Sequence, residues 1–309
     1  MTKPRILVLY YSQTGQVRQL IDNITSDIQD KAIIDYAPIE PVIPYKLPWK
    51  ASEFFDVMPE TVQHLPIPLM PLPDAIKNQH YDLVLFGYTS WFLNPSLPIS
   101  SFLQSKDAEV LKGKNVITVI GCRNMWLNGQ EIVKKYLWNL QAKLIGNIVL
   151  TDSNPNLVSV LTVIRWMFKG KKEASGLLPA AGIQEHDMKR ASRFGMPIYR
   201  HLTENKLNEL HQELLMMGAI HLKPALIILE RRGVKNFRKW AAYIRDRGGP
   251  GAIERQGRVT LFKRLLIIAI FILSPLSSLT AFIQLQLQKK GLLHDAEYFK
   301  GLGYKNNAI

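Results

Sequence analysis

Residues 6–11 are six apolar or aromatic side chains in a row, and Ser12, Gln13, Thr14 and Gly15 follow without a gap. An apolar run of that length suits a central parallel strand covered on both faces. Val17, Leu20, Ile21, Ile24 and Ile28 then recur at helical spacing. Strand, hydroxyl-rich turn and helix in immediate succession point to an α/β fold with a parallel sheet. The turn sets hydroxyls and bare backbone N–H groups at a helix N-terminus, which is a site for a phosphate.

The details narrow the ligand. No lysine follows the glycine, as a Walker loop requires, and the turn holds one glycine where a dinucleotide turn needs three. Ser-x-Thr-Gly directly after the first strand resembles the FMN-phosphate loop of the flavodoxin-like superfamily. A plain Ser or Thr helix cap is the competing reading. The resemblance implies that Ser12, Gln13, Thr14, Gly15 and Gln16 hold the phosphate. Two more apolar runs, 81–88 and 115–120, end in Thr89, Ser90, Trp91, Phe92, Leu93 and in Gly121, Cys122, Arg123, Asn124, Met125. In that superfamily the corresponding loops flank the isoalloxazine. Open α/β sheets bind ligands at the carboxyl ends of their strands, and three consecutive ends here carry suitable residues. Ordinary packing is the other use of Trp91 and Trp126.

The 309 residues exceed one flavodoxin-like unit. The single cysteine excludes internal disulfides and a cysteine-ligated cluster, and seven histidines without metal-ligand spacing give no metal site. No apolar signal segment precedes the first strand, so a cytoplasmic location is expected. The net charge of +14 is uneven: 231–264 carries eleven Lys or Arg against Asp246 and Glu254. Residues 265–288 then hold no charged side chain. A basic stretch abutting an apolar one favours an anionic membrane over nucleic acid. The expectation is attachment to the cytoplasmic face of a bacterial inner membrane, with 265–288 as a transmembrane, re-entrant or in-plane helix; a buried core helix is the alternative.

Residues 38–73 hold nine of the eighteen prolines together with Tyr45, Trp49, Phe54 and Phe55. They read as an ordered, aromatic-packed insertion before the crossover helix that leads to the next strand. A fifth strand is expected over 145–151, an apolar-then-basic helix over 157–172, a last crossover helix over 185–202 and an amphipathic helix over 206–217. The expected architecture is a flavodoxin-like, doubly wound, five-stranded parallel sheet over 1–203, with the insertion at 37–74. A basic, apolar helical extension, 204–309, associates with the membrane.

Val8 through Gln16, the Pro-Trp and Phe-Phe-Asp elements of 45–60, Asn154-Pro155, Arg165-Trp166, Gly170-Lys171-Lys172 and Arg238-Lys239-Trp240 together resemble the bacterial family of dialkylresorcinol condensing enzymes. The resemblance implies a role in forming dialkylresorcinols alongside a ketosynthase or acyl carrier protein. A condensing enzyme needs a paired nucleophilic cysteine, however, and Cys122 lies in a flavin-type loop without an evident histidine partner. The loops suit another step, FMN-dependent oxidation of an apolar 2,5-dialkylcyclohexane-1,3-dione to the resorcinol. Arg123 and Arg165 are candidates to hold the enolate oxygens, and Tyr88 and Asp152 are candidate bases. An NAD(P)H-dependent quinone or enone reductase, or a non-catalytic membrane-docked partner, would use the same scaffold.

Overall fold

Strands β1 (Arg5–Tyr10), β2 (Ile33–Pro38) and β3 (Leu83–Tyr88) form one parallel sheet with two later strands. A two-residue hairpin, β4 (Ser90–Trp91) and β5 (Asn94–Pro95), separates β3 from β6 (Asn115–Cys122) and β7 (Lys143–Thr151). The order β2-β1-β3-β6-β7 is the doubly wound flavodoxin-like order. The computed structural model describes residues 3–306 and Ile309; the side chains of 274–279 and Phe282 lie outside the described residues. All six residues of β3 and five of six in β1 are buried, because helices cover both faces. The chain leaves β1 toward β2 on one side and returns to β3 on the other. That change of direction opens a crevice at the carboxyl ends of β1 and β3.

The helices are α1 (Gln16–Thr25), α2 (Ala51–Asp56), α3 (Met58–Gln63), α4 (Asp74–Lys77), α5 (Leu97–Phe102), α6 (Leu127–Asn139) and α7 (Asn156–Lys169). Then come α8 (Glu185–Lys189), α9 (Gly195–Thr203), α10 (Leu207–Met216), α11 (Pro224–Arg245), α12 (Ile253–Ile268), α13 (Ser274–Leu287) and α14 (Lys289–Lys300). The crossover helix expected after the insertion is only the single turn α4. Pro66, Pro68, Pro71 and Pro73 lack the amide donors a longer helix would need. The insertion folds instead as α2 and α3. Phe55, Met58 and Val62 bury a second apolar cluster against Ala241, Ile244, Val259 and Phe262 of α11 and α12.

The extension is not a separate unit. Leu210 and Leu214 of α10 sit on β7, where Leu214 Cδ1 would lie 3.1 Å from a Cβ at Gly146, a tight contact that the glycine relieves. Val149 N donates to Ala219 O (2.8 Å), which satisfies one donor on the free edge of β7. Ile227, Ile228, Leu292, Ala296 and Phe299 join the main core. Residue 203 is therefore no core boundary.

The basic block is partly neutralised by residues distant in sequence. Arg255, fully buried, donates to Asp56 Oδ1 (2.7 Å) and Glu60 Oε1 (2.8 Å) of the insertion. Arg245 adds a 3.2 Å contact to Glu60, and Arg231 reaches Asp295 at 2.7 Å. The surplus of nine charges in 231–264 thus overstates what the surface presents. Among the described residues no helix is long and apolar enough to cross a membrane. The expected segment is divided between α12, a π turn over Ala269–Leu273, and α13.

Breaking a buried ion pair by removing one partner costs about 3–5 kcal/mol. Arg255→Ala leaves Glu60, only 3% exposed, without its principal cation. We expect a loss of that size by urea titration, and a far smaller one for exposed Arg247→Ala.

Candidate functional site

The first loop joins β1 to α1. Gly15 caps α1 with φ at +83°, and a Cβ there would meet no atom within 4 Å, so the backbone is bare toward open space. Gly15 itself has no side chain to cap the helix, and the first turn holds no acid. Ser12 Oγ accepts from Arg18 N (3.2 Å) and Thr14 Oγ1 accepts from Gln16 N (3.4 Å), which leaves each hydroxyl hydrogen available to donate. Gln13 and Gln16 do something else. Gln13 Nε2 donates to Tyr45 O of the insertion (3.4 Å). Gln16 turns inward, donates to Ile183 O (3.2 Å) and accepts from Ile183 N (3.3 Å). Its amide fills the space a Cβ of Gly182 would need. Gln16 thus offers the loop its backbone alone.

The second loop is the β4–β5 hairpin. Phe92 and Leu93 both have positive φ, +48° and +64°, the combination a tight two-residue turn requires. Such positions cost about 1–3 kcal/mol each and persist where neighbours over-determine them. Here Asn94 Nδ2 donates to Phe92 O (2.7 Å), Asn128 Nδ2 to Leu93 O (2.8 Å), and His64 Nε2 lies 3.0 Å from Asn94 Oδ1. Trp91 packs on Tyr11, Tyr45 and Trp49 at 5.0–5.7 Å, and Phe92 on Phe54 and Phe237. These rings, expected beside a flavin, are committed to joining the insertion and α11 to the sheet. What the loop retains for a ligand is backbone, Thr89 and the buried, unpartnered Ser90 Oγ.

The third loop, Gly121 to Met125, turns into α6. Burial, then the charge of Glu230, pushes the Cys122 thiol up, so it stays protonated and is no nucleophile. Arg123 Nη1 (2.6 Å) and Asn124 Nδ2 (3.0 Å) both donate to Asn156 Oδ1, while Asn124 Oδ1 is buried without a partner. Asp152 bears electrostatically on Arg123; its Oδ1 accepts from Asn154 and its Oδ2 from Ser159 Oγ (2.6 Å). The fold therefore brings Arg123 and Asp152 together. The other two candidates have partners elsewhere. Tyr88 is fully buried and donates to Gln130 Oε1, and burial raises its pKa, which favours the protonated phenol. Arg165 lies nine residues along α7 from Asn156, about 13 Å at 1.5 Å per residue. Its guanidinium is spent on Ser175 Oγ and Glu173 O.

The sequence reading missed Glu230. This carboxyl of α11 is fully buried and accepts from Asn128 N (2.8 Å), with the amides of Leu127 and Trp126 also bearing on it, at the N-terminus of α6. Its Oε2 has no partner. Spacing of three from Ile227 and four to Val234 on the buried face of α11 is the signal that could have found it.

Taken as a set, a helix N-terminus at the switch point with two hydroxyls free to donate, and two flanking loops with unpartnered buried oxygens, fit FMN. The strand order and the position of this crevice define a flavodoxin-like α/β protein. Among solved structures the chain is similar to a WrbA-like flavodoxin from Agrobacterium tumefaciens, with 10% identity over 65% of this chain and 98% of that one and a TM-score of 0.37. It is similar to Megasphaera elsdenii flavodoxin (17% identity, 47% and 84% covered, TM-score 0.30). It is also similar to the NAD(P)H:quinone oxidoreductase of Methanothermobacter marburgensis (11% identity, 57% and 100% covered, TM-score 0.30). No family model and no curated protein matches the chain.

Burial raises the Glu230 carboxyl to about 8, against the pull of the three amides. An unfolded glutamate titrates near 4.3. Between those values the native state holds a proton the unfolded state has lost, so stability falls as pH rises, by at most about 1.4 kcal/mol per unit. Denaturant titrations from pH 5 to 8 are expected to show this decline in the wild type and a flatter profile in Glu230→Gln.

Proposed function

We propose that the chain is an FMN-dependent oxidoreductase. The observation that carries this is the N-terminus of α1 at the switch point, with Gly15 at positive φ facing open space and the hydroxyls of Ser12 and Thr14 beside it. Bound FMN would supply a hydride acceptor or donor at its ring. The amides of 13–15 and the two hydroxyls would bind its phosphate without a paired cation. The double variant Thr14→Asp, Gly15→Val adds a charge and a β-branched residue where the phosphate would sit. It is expected to lose flavin on gel filtration while keeping its circular dichroism, and full retention of flavin would refute the assignment.

The finer reading is aromatisation of a 2,5-dialkylcyclohexane-1,3-dione to a dialkylresorcinol. The dione forms its enolate readily, and the Arg123 guanidinium would hold the enolate oxygen. The ring gives up a hydride from one carbon and a proton from the next; Asp152 is the proton acceptor in this reading, oriented by Ser159 and Asn154. Supplying the dione to flavin-loaded protein with an electron acceptor should yield resorcinol. Arg123→Gln should lower turnover by about 10²-fold, the effect of removing one donor from a developing oxyanion. Steady NAD(P)H oxidation with quinones and no resorcinol would favour the reductase direction instead.

A doubly alkylated substrate partitions into lipid. Leu265, Ile267, Ile268, Ile272 and Leu273 are each more than 40% exposed, close in sequence to Lys263 and Arg264. That combination supports in-plane docking on an anionic bilayer. Ile272→Glu with Leu265→Glu should cut binding to phosphatidylglycerol vesicles at least about tenfold, since two buried apolar side chains are worth more than 1.4 kcal/mol. Deletion of the whole extension is no test, because it removes Glu230 and opens the core.

A further inference from the structure

A second concavity lies outside the three loops. It follows the carboxyl end of β7, between the 152–156 turn, the start of α7, residues 190–193 and the 216–226 segment, and encloses roughly 1080 Å³. Asn124 stands at its border with the candidate flavin site. Its lining is of two kinds. Met217, Ile220, Leu222 and Leu226 give an apolar floor, while Arg190, Arg193, Lys223 and Lys300 give a cationic wall.

The charge on that wall is only partly balanced. The donors of Arg193 go to the carbonyls of Met217, Arg190 and Gly218, which leave its positive charge in place. Burial and the neighbouring charge of Arg190 both work against its protonated form, with Asp187 opposing them. Lys300 has Glu297 at 2.9 Å. Asp152, the other acid of the cleft, accepts only from the neutral donors of Ser159 and Asn154 and keeps its charge, which bears on Arg123 of the neighbouring loop. Two long helices, α7 and α11, begin on the rim, and neither has a side-chain cap or an acid in its first turn. Each therefore turns backbone N–H groups and the positive end of its dipole toward the opening, that of α7 facing the Asp152 carboxylate through Ser159.

We propose that this cleft binds an organic phosphate with an apolar or aromatic body, the phosphate against Arg190 and Lys223 and the body on the apolar floor. Its volume is at the upper end for small-molecule sites. A pyridine dinucleotide and an acyl-carrying phosphopantetheine share this chemistry, and either would stand next to the 121–125 loop. The site does not depend on FMN being the ligand of the first loop.

The test is calorimetry at low salt on the full chain with NADPH, 4′-phosphopantetheine and inorganic pyrophosphate. At least one of the two organic phosphates should bind, and the one that binds identifies the source. Pyrophosphate should bind more weakly, having no body for the floor. Arg190→Glu with Lys223→Glu, both exposed, should weaken binding at least about tenfold, and Arg190→Gln with Lys223→Gln by less, because charge reversal repels what neutralisation merely ceases to attract. Flavin content, read from absorbance, should be unchanged in both variants, which separates this site from the first loop. Unaltered affinity in the variants overturns the proposal, as does failure of both organic phosphates to bind. Binding that follows Thr14 and Gly15 rather than Arg190 and Lys223 overturns it too.

Discussion

The first amides of α6 have no partner within their own helix, and a carboxyl carried about a hundred residues later satisfies them. Glu230 closes this end, and much of the site hangs on the closure. Asn128, whose N–H it accepts, also donates to Leu93 O and to Asn94 Oδ1, and Asn94 in turn meets His64 of the insertion. One buried polar line thus runs from the extension through the loop after β6 and the hairpin after β3 into the insertion. Left unsatisfied in an apolar interior, such groups would cost about 1–3 kcal/mol each. Satisfied, they fix two loops whose local sequence would not hold them.

This arrangement explains why the extension is part of the fold. Glu230 enters beneath the loops, Tyr298 donates to Glu131 on α6, which also pairs with buried Lys134, and Arg255 reaches the insertion. A separate aromatic chain runs from Tyr11 through Trp91, Trp49 and Phe54 to Phe92, Phe237 and Phe262. It ties β1, the insertion, the hairpin and two helices of the extension by edge-to-face and tilted contacts.

Local order was legible and distant pairing was not. Periodicity and turn chemistry identify β1, α1 and the Ser12–Gly15 turn, since every force that shapes them acts within one strand and one helical turn. The same holds for β3, β6, β7 and α7. Charge counting along 231–264 could not see Asp56, Glu60 or Asp295, which approach only in three dimensions. Residue type alone made Tyr88, Trp91 and Arg165 look like site residues, whereas burial and partner choice give them to the core, the aromatic chain and the 173–175 turn. Glu230 was hidden because its neighbours Arg231 and Arg232 draw it into a basic run, although its helical phase belongs to Ile227 and Val234.

The bond from Val149 N to Ala219 O has a consequence for synthesis. β7 is complete at Thr151, yet the segment that covers its outer edge arrives only at residue 219, 68 residues later. At about 5–20 residues per second that interval lasts roughly 3–14 s. Throughout it, a nearly finished five-stranded sheet presents an unpaired row of backbone donors and acceptors, the feature that recruits other chains. The nascent polypeptide is thus most exposed to intermolecular pairing after its sheet is assembled, and the return of the chain at residue 219 begins to shield that edge.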